Sequence, residues 1–300
     1  MHDVIIIGGG YAGIAAAMPL ARARRDVLVL DAGRRRNRYA AASHGFLGQD
    51  GIAPGVIADR GKQELLSYPT VTWRDEEATS ARRDGHAFVV VTREGETRAR
   101  RLVLATGVAD ELPLVPGLHE RWGRTVFHCP YCHGYELDRG RIGVLATSEH
   151  SLIQAALASE WAPRGDTTLF LGAAVSTTQD QLVDLDARGI RVERAPVIGV
   201  EDGEMGIVIR VAGERSFPLA GLFVATRMQL VGPFAADLGC AVETSPTGSF
   251  YRTDPMTKET TVPGVFACGD AAVPMGALPY AVADGFRAGV GAHRSLVFPG

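Results

Sequence analysis

A glycine-rich turn between two short apolar segments near the amino terminus is the feature that most constrains the fold. Residues 4–7 and 27–30 are continuous apolar runs typical of buried parallel strands, and the Ala-rich stretch between them predicts a helix ending near Ala23. Asp31 follows the second run directly. The turn has the spacing G-x-G-x-x-G, formed by Gly8, Gly10 and Gly13. This order of strand, glycine turn, helix and acidic strand end predicts a dinucleotide-binding βαβ unit.

Each residue of this unit has its own physical task. We expect Gly8 to permit the tight turn, Gly10 to let backbone amides approach a pyrophosphate, and Gly13 to allow close packing of the helix on the strand. Asp31 would accept hydrogen bonds from a ribose diol. An incidental glycine turn is the alternative interpretation, and the placement of the turn between strand and helix disfavours it.

Composition limits the classes of protein to which the chain can belong. Its 300 residues predict two domains at about 100–200 residues each. A formal net charge of −3 disfavours a nucleic-acid partner, and 46% hydrophobic with 22% charged residues is typical of a globular protein. No apolar run approaches the ~18–20 residues that a membrane span requires, so we expect no membrane partner. With no secretory pattern at the amino terminus, we predict a cytoplasmic location.

A second α/β unit is predicted beyond a proline-containing stretch near residue 113. Apolar runs at 141–145 and 168–171 predict strands, and 149–160 has helical periodicity. The chain then passes through further short strands to 221–225. A terminal helix is predicted at about 278–297.

The cysteines contain one motif. Cys129 and Cys132 form a C-x-x-C, which in a reducing compartment indicates a redox-active or metal-binding pair. A zinc site needs a second ligand pair, and Cys240 and Cys268 stand alone, so no metal is predicted and these two are expected to be small buried apolar residues. Pro130 suits the first turn of a helix that begins at the motif.

These features together resemble the thioredoxin-reductase-like FAD-dependent disulfide oxidoreductases. The resemblance rests on the first glycine turn, on Ala105-Thr106-Gly107 and on residues 261–270, in this order, and it extends over essentially the whole chain. It implies an α/β protein of two Rossmann-like three-layer domains of the FAD/NAD(P)-binding type, the second inserted in the first. The expected boundaries are 1–109 with 229–300 for the FAD domain and 110–228 for the inserted domain. The resemblance also implies a homodimer.

The resemblance assigns site residues as well. Cys129 is expected to exchange with the substrate and Cys132 to face the flavin, while His133 handles protons; a histidine that only caps a turn is the alternative. His128 is a weaker candidate for the same task. Among the arginines at 34–36 and 38 only Arg38 is expected at the cofactor, the others forming a solvated face. The expected FAD-binding residues are Gly8, Gly10, Gly13, Asp31, Arg38, Gly48, Ala105, Thr106, Gly107, Gly269, Asp270, Ala281 and Val282.

The inserted unit lacks what NADPH-dependent members of the family have. Ala146, Ser148 and Ser151 stand where the second fingerprint has glycines, and residues 170–175 carry no charge where a basic cluster would pair with a 2′-phosphate. We therefore expect no usual NADPH binding.

The segments CPYCHGYE (129–136) and HGFLGQDG (44–51) resemble those of the gliotoxin- and holomycin-type dithiol oxidases. This implies a small-molecule dithiol and O₂ as partners. A thioredoxin reductase supplied by NADPH or ferredoxin, and a flavin redox sensor without turnover, remain as alternatives.

Overall fold

The computed structural model describes residues 1–173 and 175–298. The α-helices of these residues are α1 (Tyr11–Arg22), α2 (Pro54–Leu66), α3 (Pro130–His133), α4 (His150–Ala158), α5 (Gln179–Ala187), α6 (Phe234–Leu238) and α7 (Leu278–Val297). The strands are β1 (His2–Ile7), β2 (Val27–Leu30), β3 (Val71–Arg74), β4 (Ser80–Asp84), β5 (Ala87–Thr92), β6 (Gly95–Leu104), β7 (Val108–Glu111), β8 (Val126–Phe127), β9 (Ile142–Leu145), β10 (Thr167–Phe170), β11 (Ile190–Glu193), β12 (Val197–Gly203), β13 (Gly206–Val211), β14 (Arg215–Leu219), β15 (Gly221–Val224), β16 (Arg227–Leu230), β17 (Val242–Ser245), β18 (Gly248–Tyr251) and β19 (Val265–Ala267). No helix among the described residues has the length and apolar character of a membrane span.

The first sheet has the order β3-β2-β1-β6-β5-β4, and β19 also pairs with β6. Strands β1, β2, β3, β6 and β19 run parallel, so their carboxyl ends meet at one edge. Helices α1 and α7 pack against each other over this sheet. A β-carbon at Gly285 of α7 would lie 2.1 Å from the carbonyl oxygen of Ala12, so glycine permits the close helix contact.

The amino-terminal part of β6 forms an antiparallel meander with β5 and β4. The sequence pattern predicts strands at residues 87–91 and 101–104, and it predicts only a turn at the residues that form β4. That interpretation is wrong because β4 is a largely exposed, polar strand that pairs on one side with β5, so it lacks the apolar signature of a buried strand.

The second parallel sheet has the order β11-β10-β9-β15-β8, with helices α4 and α5 beside it. Its core includes Ile142, Val144, Leu169 and Phe223, all fully buried. A separate antiparallel meander, β12-β13-β14, packs nearby. The chain is therefore an α/β protein of the Rossmann-like type, as the sequence predicted.

A small sheet of order β17-β18-β16-β7 lies where the chain passes between the two parallel sheets. Strand β7 leads out of the first sheet and β16 leads back, and the two pair antiparallel, with Asp110 opposite Met228. The expected domain boundaries at 109/110 and 228/229 fall within these two strands, and the division stays a prediction.

Candidate active site

The glycine turn at the end of β1 is shaped by close backbone contacts. Gly8 has φ +105°, and its amide donates to the carbonyl oxygen of Leu30 at 2.8 Å. A β-carbon at Gly8 would lie 2.2 Å from the carbonyl oxygen of Ala105, and one at Gly13 would lie 1.8 Å from the carbonyl oxygen of Gly8. Neither position can hold a side chain without separating α1, β1 and β6.

Gly10, in contrast, faces open space. The atom closest to a β-carbon built there is Cγ of Arg35, at 4.0 Å. Gly10 is the N-cap of the twelve-residue helix α1, and no side chain caps the free amides of its first turn. Asp31 accepts from the amides of Gly9 at 3.2 Å and Gly33 at 3.1 Å, at the end of β2. An open helix N-terminus beside an acidic strand end fits a dinucleotide with its pyrophosphate on the amides and its ribose near Asp31.

The third motif brings residues 269–282 to the same sheet edge. Gly269 has φ +68° after β19, and its amide donates to Asp284 at 3.3 Å. A β-carbon at Gly276 would lie 2.1 Å from a carboxylate oxygen of Asp270, so the chain folds closely around this carboxylate. Ala281 is buried and Val282 half-buried in the first turns of α7.

The remaining predicted cofactor residues occupy different environments. Ala105, Thr106 and Gly107 follow β6 at the same edge, whereas Gly48 lies in an exposed turn with φ +76°. Arg38 is exposed, and it donates to the carbonyl oxygen of Arg35 and to the hydroxyl of Tyr39.

Arg36 does not lie where the sequence predicted. It was expected on a solvated face, but its side chain is only 20% exposed and pairs with Asp110 and Asp270. The expectation is wrong because both carboxylates are distant in sequence and only the fold brings them to this arginine. No local pattern could have identified the cluster.

The redox motif lies at a short helix. Cys129 is the N-cap of α3 and forms a disulfide with Cys132. Both cysteines are half-buried, whereas Tyr131 and Tyr135 beside them are 71% and 86% exposed. The disulfide is thus accessible from an aromatic surface.

The other two cysteines are free and buried. Burial raises the pKa of both thiols, so neither is a ready nucleophile. The prediction that Cys240 and Cys268 are buried residues is confirmed.

His133 is stacked on Phe127, with the ring centres 4.3 Å apart. Both ring nitrogens are buried without a hydrogen-bond partner among the described residues. Burial lowers the pKa of His133, and the charge of Glu136 opposes this only in part. A neutral imidazole with an available lone pair is suited to accept a thiol proton.

The 44–51 loop contacts the redox segment. Nε2 of His44 lies 3.4 Å from Oε1 of Glu136, and Nδ1 lies 3.6 Å from Oδ1 of Asp50. Asp50 also accepts from the amide of Gly45 at 2.8 Å, which holds the loop in shape. The resemblance places Gly48 of this loop at the cofactor, but it does not indicate the contact between the two motifs.

The turn after β9 has the same position in its sheet as the glycine turn has after β1, but it is closed. The hydroxyl of Ser151 is fully buried and accepts from the amides of Thr147 at 3.0 Å and Ser148 at 3.4 Å. After β10 the described residues Leu171, Gly172 and Ala173 carry no charge, and Ala174 lies outside the described residues. The donors and charges for a nicotinamide dinucleotide are therefore not presented here, and its pyrophosphate does not fit this turn.

The fold and the two turns define an FAD/NAD(P)-type disulfide oxidoreductase, and comparisons with known proteins agree. Residues 2–156 match the family model described as pyridine nucleotide-disulphide oxidoreductase. "Thioredoxin reductase sirT" of Leptosphaeria maculans is 31% identical, with 98% of this chain and 94% of that protein covered. "Thioredoxin reductase aclD" of Aspergillus oryzae is 31% identical, with 99% and 97% covered.

Two solved structures are also similar. An oxidoreductase from Agrobacterium tumefaciens is 48% identical, with a TM-score of 0.95 and 100% and 99% of the two chains covered. The structure titled HlmI is 34% identical, with a TM-score of 0.91 and 99% and 92% covered. The chain belongs to the pyridine nucleotide-disulphide oxidoreductase family, in its thioredoxin-reductase-like group. It is an FAD-binding oxidoreductase that acts on sulfur.

Proposed function

We propose that this protein oxidises a small-molecule dithiol to its intramolecular disulfide and uses O₂ as the final electron acceptor. The substrate loses two electrons and two protons to the Cys129–Cys132 disulfide, which becomes a dithiol. That dithiol returns to the disulfide by giving up two electrons and two protons, for which bound FAD would be the acceptor, and O₂ would finally receive both and become H₂O₂. The net reaction consumes one dithiol and one O₂ and gives one disulfide and one H₂O₂.

The observation that carries this proposal is the closed turn after β9. Ser151 already satisfies the amides of Thr147 and Ser148 that a pyrophosphate would need. At the glycine turn after β1 the amide of Gly9 donates to Asp31, but no side chain caps the amides in the first turn of α1. Among the described residues, the first sheet therefore offers a flavin site from which electrons would leave, whereas the turn after β9 offers no nicotinamide site for their entry. The accessible disulfide is the remaining entry point.

The residues of the redox segment divide the thiol chemistry between them. A substrate thiolate attacks Cys129 to form a mixed disulfide, which releases Cys132 as the leaving thiolate. The second substrate thiol then displaces Cys129 and leaves as the product disulfide. His133 accepts the protons of the attacking thiols, since burial keeps its imidazole neutral near pH 7. Cys132 faces the flavin in this assignment.

The residues that would hold FAD are those gathered at the carboxyl edge of the first sheet. The free amides of α1 fit the pyrophosphate, and Asp31 fits the adenosine ribose. Asp270 and the start of α7 would contact the ribityl chain and the flavin ring. Arg38, directed towards Tyr39 and Arg35, has the weakest structural support among the predicted cofactor residues.

Oxygen consumption with a panel of small dithiols, including dithiothreitol, tests the proposal. We expect dithiol-dependent O₂ uptake with one H₂O₂ per O₂ consumed. Cys129→Ser should lower this turnover by at least about 100-fold and leave bound FAD unchanged, because it removes one sulfur of the exchanging pair. Cys240→Ala, at a buried free thiol, is the matched control and should retain turnover. No O₂ uptake with any dithiol would contradict the proposal.

A thioredoxin reductase is the second candidate, favoured by the names of the fungal relatives. It predicts NADPH or ferredoxin oxidation that depends on a protein thioredoxin. Including these reagents in the same assay separates the two functions. A flavin redox sensor predicts a single reduction of the flavin with no multiple turnover.

A further inference from the structure

Arg36 is the centre of a buried charge cluster that the catalytic assignment does not use. Its Nε and Nη2 donate to the two carboxylate oxygens of Asp110 at 2.7 and 2.6 Å, and its Nη1 donates to Asp270 at 2.9 Å. The Asp110 side chain is 6% exposed. Although burial opposes the charge of Arg36, the two carboxylates raise its pKa above the usual value. Arg36 is therefore ionised, and its pairing with Asp110 is bidentate.

The cluster continues from Asp110 to a histidine. The hydroxyl of Thr226 donates to Oδ1 of Asp110 at 2.6 Å and lies 3.4 Å from Nδ1 of His128. Because a hydroxyl has one proton and Thr226 gives it to Asp110, Thr226 can only accept from His128. His128 must then carry its proton on Nδ1, and its Nε2 is the free acceptor. Burial lowers the pKa of His128 to about 4, so the ring is neutral.

The members of the cluster come from parts of the chain that are separate in sequence. Arg36 follows the second strand of the first sheet, and Asp270 is in the third cofactor motif. Asp110 lies on β7, and Thr226 directly precedes β16, so both crossings between the sheets contribute one residue. His128 directly precedes Cys129, and its carbonyl oxygen accepts from Nε2 of Gln154 at 2.7 Å.

We propose that Arg36, Asp110 and Thr226 are positioning residues that hold His128, and with it the Cys129–Cys132 segment, in place for electron transfer to the flavin. Arg36 links Asp110 on the first crossing to Asp270, Asp110 in turn accepts from Thr226 on the second crossing, and Thr226 fixes the orientation and tautomer of His128. Because the pKa of His128 is about 4, its ring stays neutral above about pH 5, and its hydrogen bond to Thr226 therefore persists through turnover.

This inference rests on the dithiol-to-FAD step of the proposed function, but not on O₂ or on the substrate. In that step the Cys129 and Cys132 thiols lose two electrons and two protons and the S–S bond reforms; bound FAD would be the acceptor of both the electrons and the protons. A positioning defect should slow only this step. Reduction of the disulfide by an external dithiol, which approaches from the exposed side of Tyr131 and Tyr135, should keep its rate.

The test compares Asp110→Asn and Thr226→Val with Glu111→Gln, a control at the exposed neighbour of Asp110 on the same strand. Under anaerobic conditions dithiothreitol reduces each protein, acid-quenched alkylation counts the Cys129 and Cys132 thiols, and visible absorbance follows FAD. We expect disulfide reduction within about twofold of wild type and flavin reduction slowed by about 10- to 100-fold in both variants, because small misplacements of reacting groups cost this much. Glu111→Gln should match wild type.

A second measurement does not depend on flavin reduction. In the oxidised holoprotein, ¹⁵N–¹H correlation spectra of the histidine ring should report the Nδ1–H tautomer of His128, and Thr226→Val should abolish this preference while the protein stays folded. Hydrogen exchange of residues 126–134 should quicken in Asp110→Asn but not in Glu111→Gln. Unchanged flavin reduction in both variants, or an Nε2–H tautomer in the wild type, would overturn the inference. Failure of disulfide reduction itself in the wild type would instead refute the proposed function.

Discussion

The two strand–turn–helix units of this molecule share a fold and differ in what their turns offer. After β1, Gly8 and Gly13 bring strand and helix together, and Gly10 leaves the helix amides open. After β9, the buried hydroxyl of Ser151 binds the turn amides. The first turn fits a bound anion, whereas in the second turn the Ser151 hydroxyl accepts the hydrogen bonds that an anion would accept.

The difference shows that the fold of such a unit survives without its ligand site. The β9 unit keeps a parallel sheet in which β9, β10 and β15 are buried throughout, and its stability comes from apolar packing and not from a bound nucleotide. What changes is the polar chemistry of a few turn residues. The loss of a nucleotide site from such a unit can therefore be recognised from the groups that accept hydrogen bonds from the turn amides.

The largest expected effect is at the first turn. Gly13→Ala places a β-carbon where the carbonyl oxygen of Gly8 lies, at 1.8 Å, so the turn must open. We expect loss of FAD from the purified protein and destabilisation by about 3 kcal/mol. Gly55→Ala in α2 is the control, since the closest atom to its β-carbon is 3.8 Å away. Absorbance of the purified protein measures its FAD content, and urea unfolding measures its stability. Full FAD retention by Gly13→Ala would contradict this explanation of the turn.

The next effect concerns His128, which lies between the two units. Its pKa falls from 6.5 when unfolded to about 4 when folded, so unfolding takes up a proton between these pH values. The contribution of His128 to the free energy of unfolding is fully present above about pH 6.5. It falls by about 3 kcal/mol in total as the pH is lowered to about 4.

Urea unfolding from pH 7 to pH 4 measures this window. The free-energy difference between wild type and His128→Gln should shrink as the pH falls, because the variant has no proton to gain. His86→Gln, in the exposed β4–β5 hairpin, should run parallel to wild type. Parallel curves for His128→Gln would mean that the buried ring is not responsible.

A smaller effect is expected at the second turn. Ser151→Ala leaves the buried amides of Thr147 and Ser148 without their acceptor and should cost about 1–3 kcal/mol. Ser159→Ala, at the other end of α4, removes one local bond to Ala156 and should cost less than about 1 kcal/mol. Thermal unfolding of both variants, with FAD content as the second readout, checks this. Equal costs would remove the special role of Ser151.

The smallest effect is expected from restoring glycines. The double variant Ser148→Gly/Ser151→Gly opens the second turn, but the charges for a 2′-phosphate stay missing at Leu171–Ala173. We expect NADPH affinity to remain within about twofold of wild type, measured by NADPH fluorescence, because charge-assisted contacts supply much of phosphate recognition. Saturable binding at micromolar NADPH would show that the glycines alone determine whether this turn binds a dinucleotide.

The sequence was most informative where a function depends on local spacing. The glycine fingerprint, the C-x-x-C and the absent second fingerprint are read from adjacent residues, and helices α1, α4 and α7 follow from composition and periodicity. The short polar strand β4 was missed because an exposed strand carries no apolar pattern.

The rest depends on contacts between distant residues. Arg36 meets Asp110 and Asp270 across 74 and 234 positions, and nothing in the arginine run distinguishes it from its neighbours. The serine that closes the second turn was noted only as a missing glycine. Its hydrogen bonds to Thr147 and Ser148 need the strand and helix to be in place first.

Anaerobic visible absorbance of the FAD-loaded protein tests the central claim most directly, because it compares the two entry routes in one sample. We predict that dithiothreitol bleaches the flavin through Cys129 and Cys132, and that NADPH at the same concentration leaves it oxidised. Admitting O₂ should then restore the absorbance and produce H₂O₂. Rapid bleaching by NADPH would contradict the account.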